Sequence, residues 1–288
     1  MEYSILGRTG QKVSKIGFGG AVAMKNYIKS YDNSVKEERD NIIAAIQKAY
    51  ELGINYFDTA RGYGESEDIF GEAFQGIDRN QLFIATKVSK SDSDPSSVRE
   101  SVETSLKKMN LDCIDLVQIH GSTYSEEDYE VAMKIDGILE QLEKLKSEGL
   151  LKYIGFSVET QNEPLYQFIK SGRFDAVQMC YNFMYQHPYD PFFKAGSFFD
   201  ANKADIGIVT MRSTTSGIFQ KWIQLVNPQN TFDYTTALIQ YQLSNPLLNV
   251  ALIGMRTPER VIQNVEICKD VSNRIDFEKL HTFSSEQL

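Results

Sequence analysis

Cysteine is scarce in this chain: Cys113, Cys180 and Cys268 are three in 288 residues, widely spaced, odd in number and without a CxxC pair. That argues against a zinc knuckle or a redox motif, calls for no metal and fits a reducing compartment. Long apolar runs are missing too. None approaches the roughly 18 residues of a membrane span, and the opening MEYSILGRTGQKV lacks an apolar signal segment. A cytoplasmic protein with no membrane partner is expected. Positive charge is also short: 30 Lys and Arg stand against 39 Asp and Glu, for a formal charge of -9 and no concentrated basic face. A phosphate backbone needs such a face, so nucleic acid is not the expected partner, whereas a small anion needs only a few local Arg or Lys. No Gly/Pro/Ser-rich or charged linker interrupts residues 1–288, which are read as a single domain. With 42% hydrophobic and 24% charged residues that domain can bury a sizeable core.

The elements that are present alternate. After an expected hairpin in EYSILGRTGQKVS, turning at Gly7 to Gly10, come eight short apolar runs: KIGFGG, NYFDT, LFIATKV, IDLVQIH, YIGFS, AVQMCY, IGIVTM and VALIG. Amphipathic segments separate them, among them EERDNIIAAIQKAYEL, SSVRESVETSLKKMN and YEVAMKIDGILEQLEKLKSEG, whose apolar residues recur at three and four. In the second, Val98, Val102, Leu106 and Met109 fall on one stripe. Eight strand–helix units with crossover-length connections point to an α/β fold of the closed (β/α)8 TIM barrel type with an N-terminal β-hairpin. The rival is a doubly wound dinucleotide fold, suggested by Gly17, Gly19 and Gly20. It is disfavoured because the third glycine of GxGxxG would fall at Val22, with no helix start behind it.

Parallel barrels gather their chemistry at strand C-termini. Four side chains stand there: Asp58 and Tyr63 in GINYFDTARGYGESE, Lys87 in LFIATKVS, and His120 in DLVQIHGS. Each has an ordinary reading. Asp58 suits a turn or a helix cap, Tyr63 suits half-buried packing, and His120 suits a hydrogen-bonded core position. Lys87 resists one, because lysine is almost never buried without a partner.

From LGRTGQKVSKIGFGG to RTPERVIQNVE the chain resembles the aldo-keto reductases. GINYFDTARGYGESEDIFGEAF, FIATKV, the strand ending in His120, EGLLKYIGFS and SNPLLNVALIGMRTPERVIQN carry the likeness together and in order. The resemblance implies an NAD(P)H-dependent oxidoreductase that reduces an aldehyde or ketone to an alcohol. It makes Tyr63 the proton donor, Lys87 and Asp58 its electrostatic partners, and His120 a donor to the substrate carbonyl. Chemistry supports those roles: charge develops on the carbonyl oxygen, and an ammonium beside a phenol favours the phenolate.

By the same resemblance the nicotinamide end of the cofactor falls to Ser157, Gln178 and Met211, with Gly20 and Asp58 nearby. The pyrophosphate falls to TMRSTTSGIF, with Arg212, Thr214, Ser216 and Gly217, and the adenosine end to Gly254, Arg256, Arg260 and Asn264. A guanidinium suits a 2′-phosphate better than a bare hydroxyl, so NADPH is expected over NADH. Thr257, Pro258 and Glu259 also read as an ordinary helix start, and both readings can hold. Three positions depart from the commonest family pattern. Val158 stands where many members have Asn, Met211 where many stack a tyrosine on the nicotinamide, and Arg212 where many have a small polar residue.

Pocket walls are expected from Ala21 to Tyr31, Gly121 to Tyr129, and the stretch with Phe219 and Trp222. The aromatic-rich NFMYQHPYDPFFKAGSFF either lines the pocket or covers the rim. The tail FEKLHTFSSEQL reads as too brief for a long lid, which leaves an open site for sugars or other polar carbonyl compounds. Two other functions fit the pattern: an NADPH-binding sensor or scaffold with slow catalysis, and a barrel aldolase using Lys87 as a Schiff base. The latter requires a lysine free of a carboxylate partner. Sequence leaves the oligomeric state and the physiological substrate open.

Overall fold

The computed structural model describes residues 1–24, 36–92, 94–277 and 279. Strands β1 (Tyr3–Ile5) and β2 (Lys12–Ser14) form an antiparallel hairpin around a 3-10 turn at Gly7–Thr9. Gly7 has a φ of +43°, and a Cβ there would lie 2.3 Å from the Gly207 nitrogen, so only glycine lets the hairpin press against the barrel. Eight parallel strands follow: β3 (Ile16–Gly19), β4 (Tyr56–Asp58), β5 (Phe83–Ser89), β6 (Ile114–His120), β7 (Leu151–Val158), β8 (Ala176–Cys180), β9 (Gly207–Met211) and β10 (Val250–Ile253). Each pairs with the next in sequence, and β10 pairs with β3 to close the barrel.

Around the strands lie α1 (Lys36–Glu51), α2 (Ser66–Ala73), α3 (Pro95–Met109), α4 (Glu126–Met133), α5 (Ile138–Ser147), α6 (Glu163–Lys170), α7 (Ser197–Lys203), α8 (Ile218–Val226), α9 (Thr235–Leu243) and α10 (Pro258–Lys269). Val98, Val102, Leu106 and Met109 of α3 are all buried, as their stripe requires. Asp94 caps its start by accepting from the Ser96 N–H, and Asn110 ends it at a φ of 53°.

One expectation fails. The long segment YEVAMKIDGILEQLEKLKSEG is two helices, because Asp136 turns to a φ of 57° and breaks the ladder between α4 and α5. The first helix starts upstream of that segment, at a capping box made by Ser125 and Asp128. The apolar spacing runs through the break, since both pieces pack on the same core, and so periodicity alone does not reveal it.

Inside the barrel, side chains alternate in and out along each strand. A lower apolar layer holds Tyr56, Phe83, Ala85, Leu116, Ala176 and Val209, closed from below by Leu6 and Val13 of the hairpin. Two residues further along the same strands the inward positions turn polar: Asp58 after Tyr56, Lys87 after Ala85, Gln118 after Leu116, Gln178 after Ala176. That change of layer places the site.

Candidate active site

Lys87 is fully buried, and its ammonium donates to Asp58 Oδ1 at 2.7 Å, to Asp58 Oδ2 at 2.8 Å and to the Thr59 carbonyl at 2.9 Å. Burial by itself would push the ammonium down, but the adjoining Asp58 carboxylate outweighs it, with a smaller contribution from Tyr63, and holds Lys87 above its ordinary value. Burial also pushes the Asp58 carboxyl up against its cation. At these distances the pair stays ionised, since neutralising either member would strand the other.

Tyr63 is half-buried above this pair. The Lys87 Nζ lies 5.0 Å from the centre of the Tyr63 ring, near enough for ammonium and phenol to feel each other's charge. His120 ends β6 and meets the Tyr63 ring edge-on, with centroids 5.6 Å apart. Burial, then the Lys87 cation, pushes its imidazole down to about 4, so it is neutral near pH 7. An acid, a phenol, an amine and a neutral imidazole therefore converge as the four strand ends suggest.

The loop carrying Tyr63 is held from behind. Glu67 of α2, almost wholly buried, accepts from Arg61 at 2.6 Å, Thr86 at 2.8 Å and Ser105 at 2.7 Å. A Cβ on Gly20 would lie 2.6 Å from the Asp58 carbonyl, so β3 can approach β4 at the site only with glycine there.

A cavity of about 510 Å³ opens over this constellation. Asp58, Tyr63 and His120 stand at one end of it; Ser157, Gln178, Met211, Arg212, Thr214, Ser216, Gly217, Gly254 and Arg256 continue its wall. Ser157 is tied to the Gly121 N–H and carbonyl, both at 3.2 Å. Thr215, Ser216 and Gly217 are all left-handed, with φ of 57°, 52° and 75°, a tight bend in which the Thr215 N–H donates to the Arg212 carbonyl at 2.7 Å and the Gly217 N–H to the Thr214 carbonyl at 3.1 Å. Gly20, Arg260 and Asn264 do not line the cavity. Gly20 packs beneath it, Arg260 is exposed on α10 and donates to Gln263 at 2.7 Å, and Asn264 is buried with its Oδ1 unpartnered among the described residues. Thr257 caps α10 by accepting from the Arg260 N–H.

Of the expected walls, Gly121, Ser122, Ala21, Val22 and Met24 line the cavity, while residues 25–31 of the first loop lie outside the described residues. So do Glu278 and the end of the tail from residue 280. Phe219 packs on Phe183 and Tyr234, and Trp222 is exposed, so neither reaches the cavity. No residue of NFMYQHPYDPFFKAGSFF lines it either; Tyr189 and Phe198 are buried and Phe192 and Phe193 exposed, as befits a rim. Gln118 and Glu159 were not foreseen. Gln118 donates to Asp58 Oδ2 at 3.3 Å, and Glu159 accepts from Arg212 at 2.8 Å across the cavity wall. A glutamine two residues before His120 in an apolar strand shares its inward face, which is the signal that finds it.

The sequence profile of the Aldo/keto reductase family matches residues 15–283. The chain belongs to that family. A curated aldo-keto reductase relative, L-galactose dehydrogenase of Arabidopsis thaliana, is 33% identical over 165 residues, 54% of this chain and 48% of that one. The chain spans about half the length of the curated relatives it matches. Among solved aldo-keto reductases, the holo form from Bacillus halodurans superposes with a TM-score of 0.73 at 23% identity, covering 96% of this chain and 93% of that one. The Klebsiella pneumoniae enzyme in complex with NADPH gives 0.71 at 18% identity, covering 98% and 94%. Among the described residues no helix is long and apolar enough to cross a membrane.

Proposed function

We propose that this aldo-keto reductase uses NADPH to reduce an aldehyde or ketone to an alcohol, with Tyr63 as the general acid. The observation that carries the reading is the buried Lys87–Asp58 pair set against the phenol, at 5.0 Å from the ring centre. A cation held there favours the phenolate that remains once the proton has gone to the carbonyl oxygen. Neutral His120 presents one N–H to the same oxygen and adds no charge that would compete with Lys87.

The residues present fit a nicotinamide dinucleotide. Thr214 and Ser216 bring hydroxyls to the cavity wall for phosphate oxygens, Arg256 and Arg260 supply cations toward the far end, and the unpartnered Asn264 Oδ1 is an acceptor in want of a donor such as an adenine amino group. When bound, the cofactor supplies the hydride. Ser157 and Gln178 would hold its carboxamide, and Met211 would pack on its ring with a polarisable thioether in place of an aromatic face. Arg260, exposed and only 3.8 Å from Asp233, has donors to spare for a 2′-phosphate, the basis for preferring NADPH to NADH. The polar side chains along the cavity wall suit small polar carbonyl compounds, including sugars. The Schiff-base reading is opposed by the carboxylate bound to Lys87, which holds that amine protonated.

Turnover with a panel of aldehydes and ketones, read at the absorbance of reduced nicotinamide, tests the proposal. Tyr63→Phe is expected to lose turnover about a hundredfold or more while retaining NADPH affinity. Equal turnover in that variant, or binding without turnover in the parent protein, overturns the acid role; the second outcome points to a sensor. Arg260→Ala is expected to weaken NADPH binding about tenfold with NADH unchanged, and parallel losses remove the phosphate role.

A further inference from the structure

Gln118 is fully buried in the middle of β6, between two groups that the proposed reaction uses. Its Nε2 donates to Asp58 Oδ2 at 3.3 Å and to Gln178 Oε1 at 3.1 Å. Gln178 in turn directs its Nε2 to Met211 Sδ at 3.6 Å. The Gln118 Oε1 has no partner among the described residues.

The direction of both amides follows from charge. An ionised carboxylate only accepts, so the amide that faces Asp58 must show it nitrogen. Reversing Gln118 would set its oxygen against both the Asp58 carboxylate and the Gln178 Oε1, acceptor to acceptor in a buried site, a worse arrangement than one unsatisfied amide oxygen. With its nitrogen fixed, Gln118 places its second N–H on the Gln178 oxygen. That occupies Oε1 and leaves the Gln178 nitrogen as the end facing Met211 and the cavity. A thioether is a weak acceptor, so this N–H is readily given up to a stronger one.

We infer that Gln118 is a positioning residue: it transmits the charge of Asp58 to Gln178 and so fixes which end of the Gln178 amide meets the cofactor, a donor aimed at the carboxamide oxygen. The inference rests on the cofactor reading above. In this relay the ion pair that serves the phenol also orients the seat of the nicotinamide, through one side chain that does not itself line the cavity. Gln118→Met keeps the length of the side chain and removes both donors, leaving Gln178 free to turn.

Calorimetric titration of the whole protein with NADPH and with 2′-phospho-ADP-ribose, which lacks the nicotinamide, separates this from general damage. In Gln118→Met, the NADPH dissociation constant is expected to rise fivefold to tenfold, about the worth of one buried hydrogen bond. Binding of 2′-phospho-ADP-ribose should stay within about twofold, as expected for a change confined to the nicotinamide seat. Unchanged NADPH affinity, or equal losses for both ligands, overturns the relay while leaving the function intact. Parent protein that binds neither ligand overturns the cofactor reading and the relay with it. Should Gln118→Met not fold, Gln118→Leu reads the same ratio.

Discussion

At the N-terminal end of the barrel, buried Asp115 accepts from Arg79 at 2.6 Å, from Lys152 at 2.8 Å and from the Ile84 N–H at 2.9 Å. At the C-terminal end, buried Asp58 binds Lys87 in much the same way. The difference lies in the cation. Arg79 and Lys152 reach into solvent, with side chains 30% and 51% exposed, whereas Lys87 has no exposure and lies beneath a phenol and an imidazole that line the cavity. At the lower end an acid pins loops together and its partners' charge is screened by water. Above, the charge is kept dry and aimed, so it acts on whatever titrates nearby. An ion pair becomes chemically useful through what its cation is denied.

The largest effect should follow from breaking the upper pair. Lys87→Met leaves the Asp58 carboxylate buried without its cation, and denaturant unfolding should show a loss of about 3 kcal/mol or more. Turnover should fall about a hundredfold or more. Adding Asp58→Asn to it should restore much of the stability and none of the turnover; recovery of both would mean that the pair is merely structural.

Asp115→Asn sharpens the contrast from the other end. It weakens three bonds, two of them from cations that can return to water, so a loss of about 1–3 kcal/mol is expected. Turnover should remain within about twofold, since sites this far apart act independently. A drop in turnover as large as that of Lys87→Met would erase the distinction between the two ends.

The smallest effect concerns pH. His120 has its folded value lowered from 6.5 to about 4, so the unfolded chain binds the proton first on acidification. Stability from this group is therefore full above about 6.5 and is lost as pH falls toward 4. Melting temperatures between pH 7.5 and 4.5 should decline more steeply in the parent protein than in His120→Gln. Parallel curves would mean that the imidazole is not desolvated.

Much of the barrel was legible because each strand carries its own pattern. The eight apolar runs all became strands, and the α3 stripe is buried at every expected position. The split between α4 and α5 was not legible, because a left-handed Asp136 interrupts the helix without disturbing its apolar spacing. The four reactive residues were legible by place, standing at strand ends. Their support was not: Glu67, Glu159 and Gln118 find their partners across gaps in sequence from 6 to 60 residues. No local pattern encodes those meetings.

Residue type and order by themselves determined which strands exist, which face of each turns inward, and that an acid, a phenol, an amine and an imidazole stand at their ends. Only closure of the barrel decided that the amine would be dry, that the imidazole would be neutral, and that two glutamines would be ordered by one carboxylate. Strand periodicity is set by neighbours one and two residues away. Burial and hydrogen bonding depend on what the other strands bring, and those strands arrive only when the sheet closes.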